Sequence, residues 1–233
     1  MKAFHDNQAI KDEYLARVRA HAAADEIIKG QYWEGGRGCA VGCTIHSDEH
    51  KDYERLLGIP VELALLEDDL FENLPLAKAK LWPELFLNSI NVGADLSLVF
   101  SKFVVRILGD SERGCIIHAK TPEAQAAINS VISLYKRKLE GDVISDDEWT
   151  IAQRAVFAAP ICDATFAAAY AATTWVHAAN HAAAFAAAAA TATDAINAVI
   201  DAYTNTATSE ARVRHYEWMS DVLIEELKNA SVS

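Results

Sequence analysis

The apolar residues of the chain recur with a helical period from the N-terminal segment onward. In that segment the spacing is mostly three and four residues, which is typical of a helix with one side facing a core. The apolar residues concerned are Ile10, Tyr14, Leu15, Val18, Ala22 and Ile27. Asn7 or Asp6 can serve as the N-cap and Gly30 as the stop, so the pattern predicts a first helix over residues 8–28.

Shorter helices are predicted next, each marked by a glycine at its end or a proline at its start. Residues 52–57 precede Gly58, and Pro60 opens a helix over residues 61–71. In the second helix we expect the leucines and the phenylalanine to face the core and the acidic run 67–69 to face solvent. Pro75 and Pro83 predict two further short helices.

The apolar pattern of the later segments, apart from the alanine-rich one, is also helical. In residues 94–108 helix and strand compete, but the spacing of the apolar positions fits a helix better. Thr121 before Pro122 predicts a helix that extends to residue 139, and Ser145 before Glu148 predicts another by the capping-box spacing. A last helix is expected over residues 210–227. No hairpin signal of the Asn-Gly or Asp-Gly kind occurs, so we expect an all-α fold. We expect a multi-helix bundle that forms one domain over residues 1–233, with a possible sub-boundary near residues 141–145.

The segment from Ala164 to Thr193 contains no acidic or basic residue and is mostly alanine. Its length could span a bilayer, but its alanine content, its His177 and His181 and the lack of a flanking basic cluster argue against a membrane span. Alanine is the strongest helix former. We therefore expect a long alanine-rich helix, or a helical hairpin, at the centre of the bundle. Such a surface could also pair two copies of the chain, which makes a homodimer possible.

The most unusual stretch of the chain is rich in glycine and cysteine. Half of the ten glycines lie between Gly30 and Gly42. If Cys39 opens a helix, two cysteines and two histidines fall on one narrow stripe of it. These residues are Cys39, Cys43, His46 and His50. The simplest interpretation is a loop whose glycines let two helices and a backbone segment pack closely. We expect Gly38 or Gly42 to lie where no side chain fits, or at a positive φ.

A metal site is one candidate chemistry for this stretch. One helix cannot close a tetrahedron with all four stripe residues, so Cys39 and Cys43 would need Cys115 and His118 to complete a zinc site. The spacing matches no standard zinc finger. Buried cysteines that pack as small apolar groups are common, which is the competing hypothesis, and no other cofactor is indicated.

Two further candidates rely on a helix N-terminus. A thiolate at Cys39 or Cys43 would be stabilised there and could pair with His118 as a nucleophile, although the usual scaffolds for such dyads contain a sheet. Alternatively, Arg37, Gly38 and Cys39 could present a guanidinium and backbone N–H groups to a small anionic ligand such as a phosphate. The glycine spacing is not that of a dinucleotide-binding motif.

The charge balance narrows the choice of partners. A formal net charge of −12 argues against nucleic acid and against anionic membranes, since both attract basic surfaces. The first 25 residues are polar and lack an apolar signal core. Four cysteines without such a signal are typical of reduced thiols, so we expect a cytoplasmic protein.

Three runs of the sequence resemble an uncharacterised family of bacterial and phage proteins. They are GGRGCAVGCTIHS, YERLLGIPVELALLEDDLFENLP and LWPELFLNSINVGADLSLV. Members of that family also end in an alanine-rich segment. The resemblance implies a bacterial or phage origin and a cytoplasmic setting, and it brings no catalytic residues with it.

Together these patterns favour a non-enzymatic helical protein with a structural or interaction role. The alternative is a bundle that binds a metal or a small ligand, with its site in residues 35–50. Neither interpretation identifies a substrate or a partner.

Overall fold

The computed structural model describes residues 1–119, 121–158 and 209–232. Over these ranges the chain is predominantly helical and carries a single two-strand antiparallel ribbon, so the prediction of an all-α, multi-helix fold is confirmed. The alanine-rich segment lies outside the described residues. The predicted long helix or hairpin there, and with it His177 and His181, stays a prediction.

Ten α-helices and two short strands make up the described ranges. In chain order they are α1 (Gln8–Ala23), β1 (Trp33–Glu34), β2 (Arg37–Gly38), α2 (Ala40–Ile45), α3 (Asp52–Leu57), α4 (Val61–Asn73), α5 (Leu76–Ala79), α6 (Trp82–Ser89), α7 (Val99–Gly109), α8 (Pro122–Leu139), α9 (Asp146–Ala158) and α10 (Ser209–Lys228). Two 3-10 turns, Ala3–Asp6 and Cys115–His118, complete the list.

Several predicted helix boundaries are found in the structure. Asn7 caps α1 by accepting the N–H of Ala9, and Thr121 caps α8 by accepting that of Ala124. Ser145 and Glu148 exchange hydrogen bonds in a capping box. The first helix is shorter than predicted, since it ends at Ala23 and residues 24–28 leave the helical path.

The chain divides into two compact units, one formed by Met1–Phe100 with Tyr216–Ser233 and the other by Ser101–His215. The prediction of one domain with a possible sub-boundary near residues 141–145 stays a prediction, and those residues form the turn between α8 and α9. In the second unit α8 packs against α9, where the Tyr135 and Trp149 rings meet edge to face with centroids 5.0 Å apart.

The first unit is built around α2, the helix of the glycine- and cysteine-rich stretch. All six residues of α2 are buried, and the helix contacts α1, α3, α4 and α6. A six-residue helix has little stability of its own, so this one exists because its neighbours enclose it. The stretch therefore packs in the core of the first unit, but residues 40–45 form a helix rather than the loop that was expected.

Helix α4 differs from the sequence-based expectation. Glu67, Asp68 and Asp69 were expected to face solvent, yet all three are buried, with Glu67 fully inaccessible. The reason is that α4 contacts α2, α3, α5 and α6, so its acidic face is covered as well as its apolar face. A buried carboxyl group lowers the stability of the fold unless it is paired or protonated. The acidic residues of α4 are therefore candidates for a functional role.

No helix among the described residues is long and apolar enough to cross a membrane.

Candidate functional site

The close approach that the glycines allow is visible at Gly38 and Gly42. The backbone of Tyr32 passes so near that a Cβ on Gly42 would lie 2.7 Å from the Tyr32 carbonyl carbon, and one on Gly38 would lie 2.9 Å from it. Both would come closer still to the carbonyl oxygen. The prediction that one of these glycines leaves no room for a side chain is confirmed, and the contact fixes residues 31–32 against the start of α2.

The single helical stripe of cysteines and histidines does not form. Cys39 is the N-cap of α2 and its Sγ accepts the N–H of Gly42, but the helix ends at Ile45 and His46 turns left-handed at φ 55°. His46 therefore points toward His21 and Trp33, whereas His50 lies beside Asp68 and Tyr32. The tight turn after α2 separates the two histidines into different clusters.

Both cysteines of the stretch are free and buried thiols. Burial raises the pKa of Cys43 to about 11. Burial, with the negative charge of Asp68 as the next cause, raises the pKa of Cys39 much further. Both groups are therefore protonated at neutral pH, which does not support either as a nucleophile despite the helix N-terminus.

The backbone N–H groups proposed for anion binding already have partners. Gly38 donates to Glu26 O at 3.1 Å, and Cys39 donates to Gln31 O at 2.7 Å. The Arg37 side chain is exposed. The N–H groups of Gly38 and Cys39 thus bond to other backbone atoms of the fold. The geometry does not favour a phosphate at Arg37, Gly38 and Cys39.

The structure does not assemble the suggested zinc ligands into a site that can be described. Cys39 and Cys43 belong to the first unit, Cys115 and His118 to the second, and the side chain of His118 lies outside the described part. Within that part no group of three or more His, Cys, Asp and Glu side chains could hold a metal ion.

A pocket of about 350 Å³ lies between α4 and the segment that precedes β1. Five residues line it: Gly30, Gln31, Tyr32, Asp68 and Glu72. Asp68 and Glu72 are four residues apart on α4 and so share one face of the helix. The close packing of residues 31–32 on Gly38 and Gly42 holds the opposite wall in place, which gives the glycines a role in shaping the pocket.

The two carboxyl groups of the pocket differ in their hydrogen-bond partners. Both Glu72 oxygens accept the Gly30 N–H at 3.0 Å, while burial and then the charge of Asp68 raise the pKa of Glu72 above its usual value. Asp68 Oδ2 lies 3.4 Å from His50 Nε2, and the buried Cys39 thiol also interacts with the Asp68 carboxyl group. Asp68 Oδ1 is buried and has no partner at standard hydrogen-bond geometry. Lys29 Nζ donates to the backbone oxygens of Glu72 and Leu74, and its positive charge partly offsets the rise in the pKa of Glu72.

A third carboxyl group of α4, that of Glu67, is enclosed in the core. Tyr53 Oη donates to Glu67 Oε2 at 2.7 Å, and neither side chain is accessible. Burial raises the pKa of Glu67 well above its ordinary value, so the group is held neutral. Sequence reasoning missed both Glu67 and the pocket carboxylates because an acidic run on a helix is ordinarily a solvated face.

Comparison of the chain with protein families, with curated proteins and with solved structures finds no match. The resemblance to a bacterial and phage family is therefore neither supported nor opposed.

Proposed function

We propose that the protein is a non-enzymatic binding protein whose pocket between α4 and residues 30–32 takes a small organic cation with N–H donors. The observation that carries this proposal is the pair of carboxyl groups in the pocket wall, since Asp68 and Glu72 line the same pocket four residues apart on α4. The negative charge of Asp68 raises the pKa of Glu72, so the two groups repel each other when both are ionised, and a bound ammonium group would supply hydrogen bonds and the opposite charge.

The composition of the pocket wall supports an organic ligand. Asp68 and Glu72 rise about 6 Å apart along the helix, a span that a short diamine can bridge with one nitrogen at each carboxylate. The Tyr32 ring, half exposed at the pocket, offers an aromatic face to a cation. A volume near 350 Å³ is at the lower end of the range for small-molecule sites.

Calorimetric titration with 1,4-diaminobutane tests the proposal, with butylamine and tetramethylammonium for comparison. We expect the diamine to bind most tightly and tetramethylammonium, which has no N–H donor, to bind most weakly. Since a hydrogen bond to a charged group contributes about 1.5–3 kcal/mol, Asp68→Asn should weaken diamine binding by roughly ten- to a hundredfold.

Glu123→Gln is the matched control, because it removes one negative charge from an exposed position in the second unit. This variant should bind the diamine as the wild-type protein does. Equal loss in both variants would show general attraction to an acidic protein, and absence of binding by the wild type to every amine would overturn the proposal.

The predicted structural or interaction role rests on the alanine-rich segment outside the described residues. It stays a prediction beside the binding proposal, as do the possible homodimer and the cytoplasmic location.

A further inference from the structure

Two imidazole rings and one carboxyl group of the first unit form a chain of short hydrogen bonds. His21 Nε2 lies 2.8 Å from His46 Nε2, and His21 Nδ1 lies 2.6 Å from Glu26 Oε2. The Trp33 ring stacks on His46 with centroids 4.4 Å apart and meets His21 edge to face at 5.4 Å. The cluster therefore joins the last turn of α1, the segment after it, strand β1 and the residue that caps the end of α2.

The carboxylate of Glu26 determines where the hydrogens of the neutral pair lie. A carboxylate only accepts a hydrogen bond, so His21 Nδ1 carries a hydrogen and Nε2 of that ring is an acceptor. His46 Nε2 must then carry a hydrogen and donate it to His21, because two lone pairs facing each other at 2.8 Å would repel. The neutral pair thus holds one hydrogen between its two Nε2 atoms.

This contact tolerates one added proton but not two. His46 is exposed, so a first proton from solvent can bind its Nδ1, and the bond between the Nε2 atoms then becomes charge-assisted. A second proton has to bind His21 Nε2. Two N–H groups, each on a positively charged ring, would then face each other at 2.8 Å. The second proton therefore breaks the hydrogen bond between the rings.

We propose that His21 and His46 form an acid-sensitive latch, which stays closed with one added proton and is opened by the second. Opening separates the end of α1 from the turn after α2 and moves away the ring on which Trp33 stacks. Histidine is the side chain whose charge ordinarily changes near neutral pH, so the latch responds to mild acid.

The charged groups of α1 act against a second positive charge. Partial desolvation of the ring, followed by the positive charges of Arg17 and of His21, lowers the pKa of His46. Glu13 pairs with Arg17 at 3.0 Å, but the carboxylate of Glu13 is largely exposed and so offsets this charge only in part.

The groups on the other side of the pair balance a single positive charge. Glu26 places one negative charge beside His21. The Cys43 thiol of α2, whose Sγ lies 3.7 Å from the backbone oxygen of Glu26, has a pKa raised by burial to about 11 and is neutral. One protonated imidazole is therefore compensated within the cluster, and a second one is not.

The sign of the effect on stability follows from the proton count. In the unfolded chain each imidazole binds a proton below its ordinary pKa of about 6.5, which makes two for the pair. The closed latch binds only one. The unfolded state then binds more protons than the folded state in mild acid, so the free energy of unfolding falls as the pH falls.

Titration of the full chain from about pH 8 to about pH 4.5 tests the latch across the range in which histidines change charge. In nitrogen-15 NMR spectra we expect the pair to take up its two protons in separate steps at least about one pH unit apart. The chain has five tryptophans, so the Trp33 fluorescence is taken as the difference between the wild type and Trp33→Phe. Acrylamide should gain access to Trp33 in the second step and not in the first.

Three substitutions assign the steps to the cluster. In His21→Gln and in His46→Gln the remaining imidazole should titrate in a single step, at a higher pH than the second step of the wild type, and acrylamide access to Trp33 should no longer depend on pH. Glu26→Gln should move both steps to lower pH, because it removes the negative charge that favours a protonated pair.

His50→Gln is the control, since this histidine lies beside Asp68 and should leave both steps unchanged. Circular dichroism at about pH 8, where ordinary histidines are neutral, checks that each variant is folded. One shared step for both rings of the wild type would contradict the latch, as would access to Trp33 that still rises in acid in folded His21→Gln. The wild-type titration decides between one step and two even if a variant does not fold. No amine is present, so the outcome is independent of the proposed binding function.

Discussion

Gly42→Ala is the substitution that most directly tests how the pocket wall is held. The added Cβ would lie 2.7 Å from the Tyr32 carbonyl carbon, whereas non-bonded carbons prefer separations of about 3.5–4.0 Å. Backbone rather than a flexible side chain is in the way. The segment carrying Tyr32 must therefore retreat by about an ångström from the start of α2.

The cost has two parts. Overpacking of this kind costs about 1–3 kcal/mol. The retreat also strains the hydrogen bonds that Cys39 N–H donates to Gln31 O and Tyr32 O, and leaving a buried donor unsatisfied costs about 1–3 kcal/mol. We expect a loss of about 3 kcal/mol or more in the free energy of unfolding, which corresponds to a Tm lower by roughly 6–12 °C.

Thermal and urea unfolding followed by circular dichroism measure this loss. Gly35→Ala is the matched control, because its φ of +60° is strained for alanine but nothing lies within 4 Å of the added Cβ. Left-handed strain alone costs about 1–2 kcal/mol. If Gly42→Ala is no more destabilising than Gly35→Ala, the close backbone approach is not what holds residues 31–32, and the account of the pocket wall fails.

Two further predictions concern buried groups that titrate. Cys39 and Cys43 are at most 1% exposed, and burial raises the pKa of both thiols. At neutral pH a thiol reagent should therefore label both cysteines only as fast as the protein unfolds. Rapid native-state labelling would contradict this. Glu67 has a raised pKa, so the folded state holds a proton that the unfolded state releases above about pH 4.5, and its contribution to stability falls as pH rises from there. Glu67→Gln should reduce the slope of the free energy of unfolding against pH by up to about 1.4 kcal/mol per pH unit. Urea unfolding between pH 5 and 8 measures this slope. An unchanged slope would show that Glu67 is ionised in the folded state.

Local sequence features predict the helix boundaries well because capping acts over three or four residues. Asn7, Thr121 and Ser145 each accept a hydrogen bond from a backbone N–H two or three positions later, so no tertiary information is needed to place them. The glycine requirement at Gly42 is predictable for a related reason, since glycine in a helix is unfavourable unless space demands it.

What each helix presents to its surroundings was decided only by the tertiary structure. Asp68 and Glu67 look like a solvated face in the sequence, and they are buried because four other helices cover α4 on several sides. Likewise, His21 and His46 meet across 25 positions, because α1 packs on α2 and the chain reverses after Ile45. Helical periodicity describes one helix at a time. The burial of a side chain depends on how many other elements surround its helix, and a local sequence pattern does not predict that number.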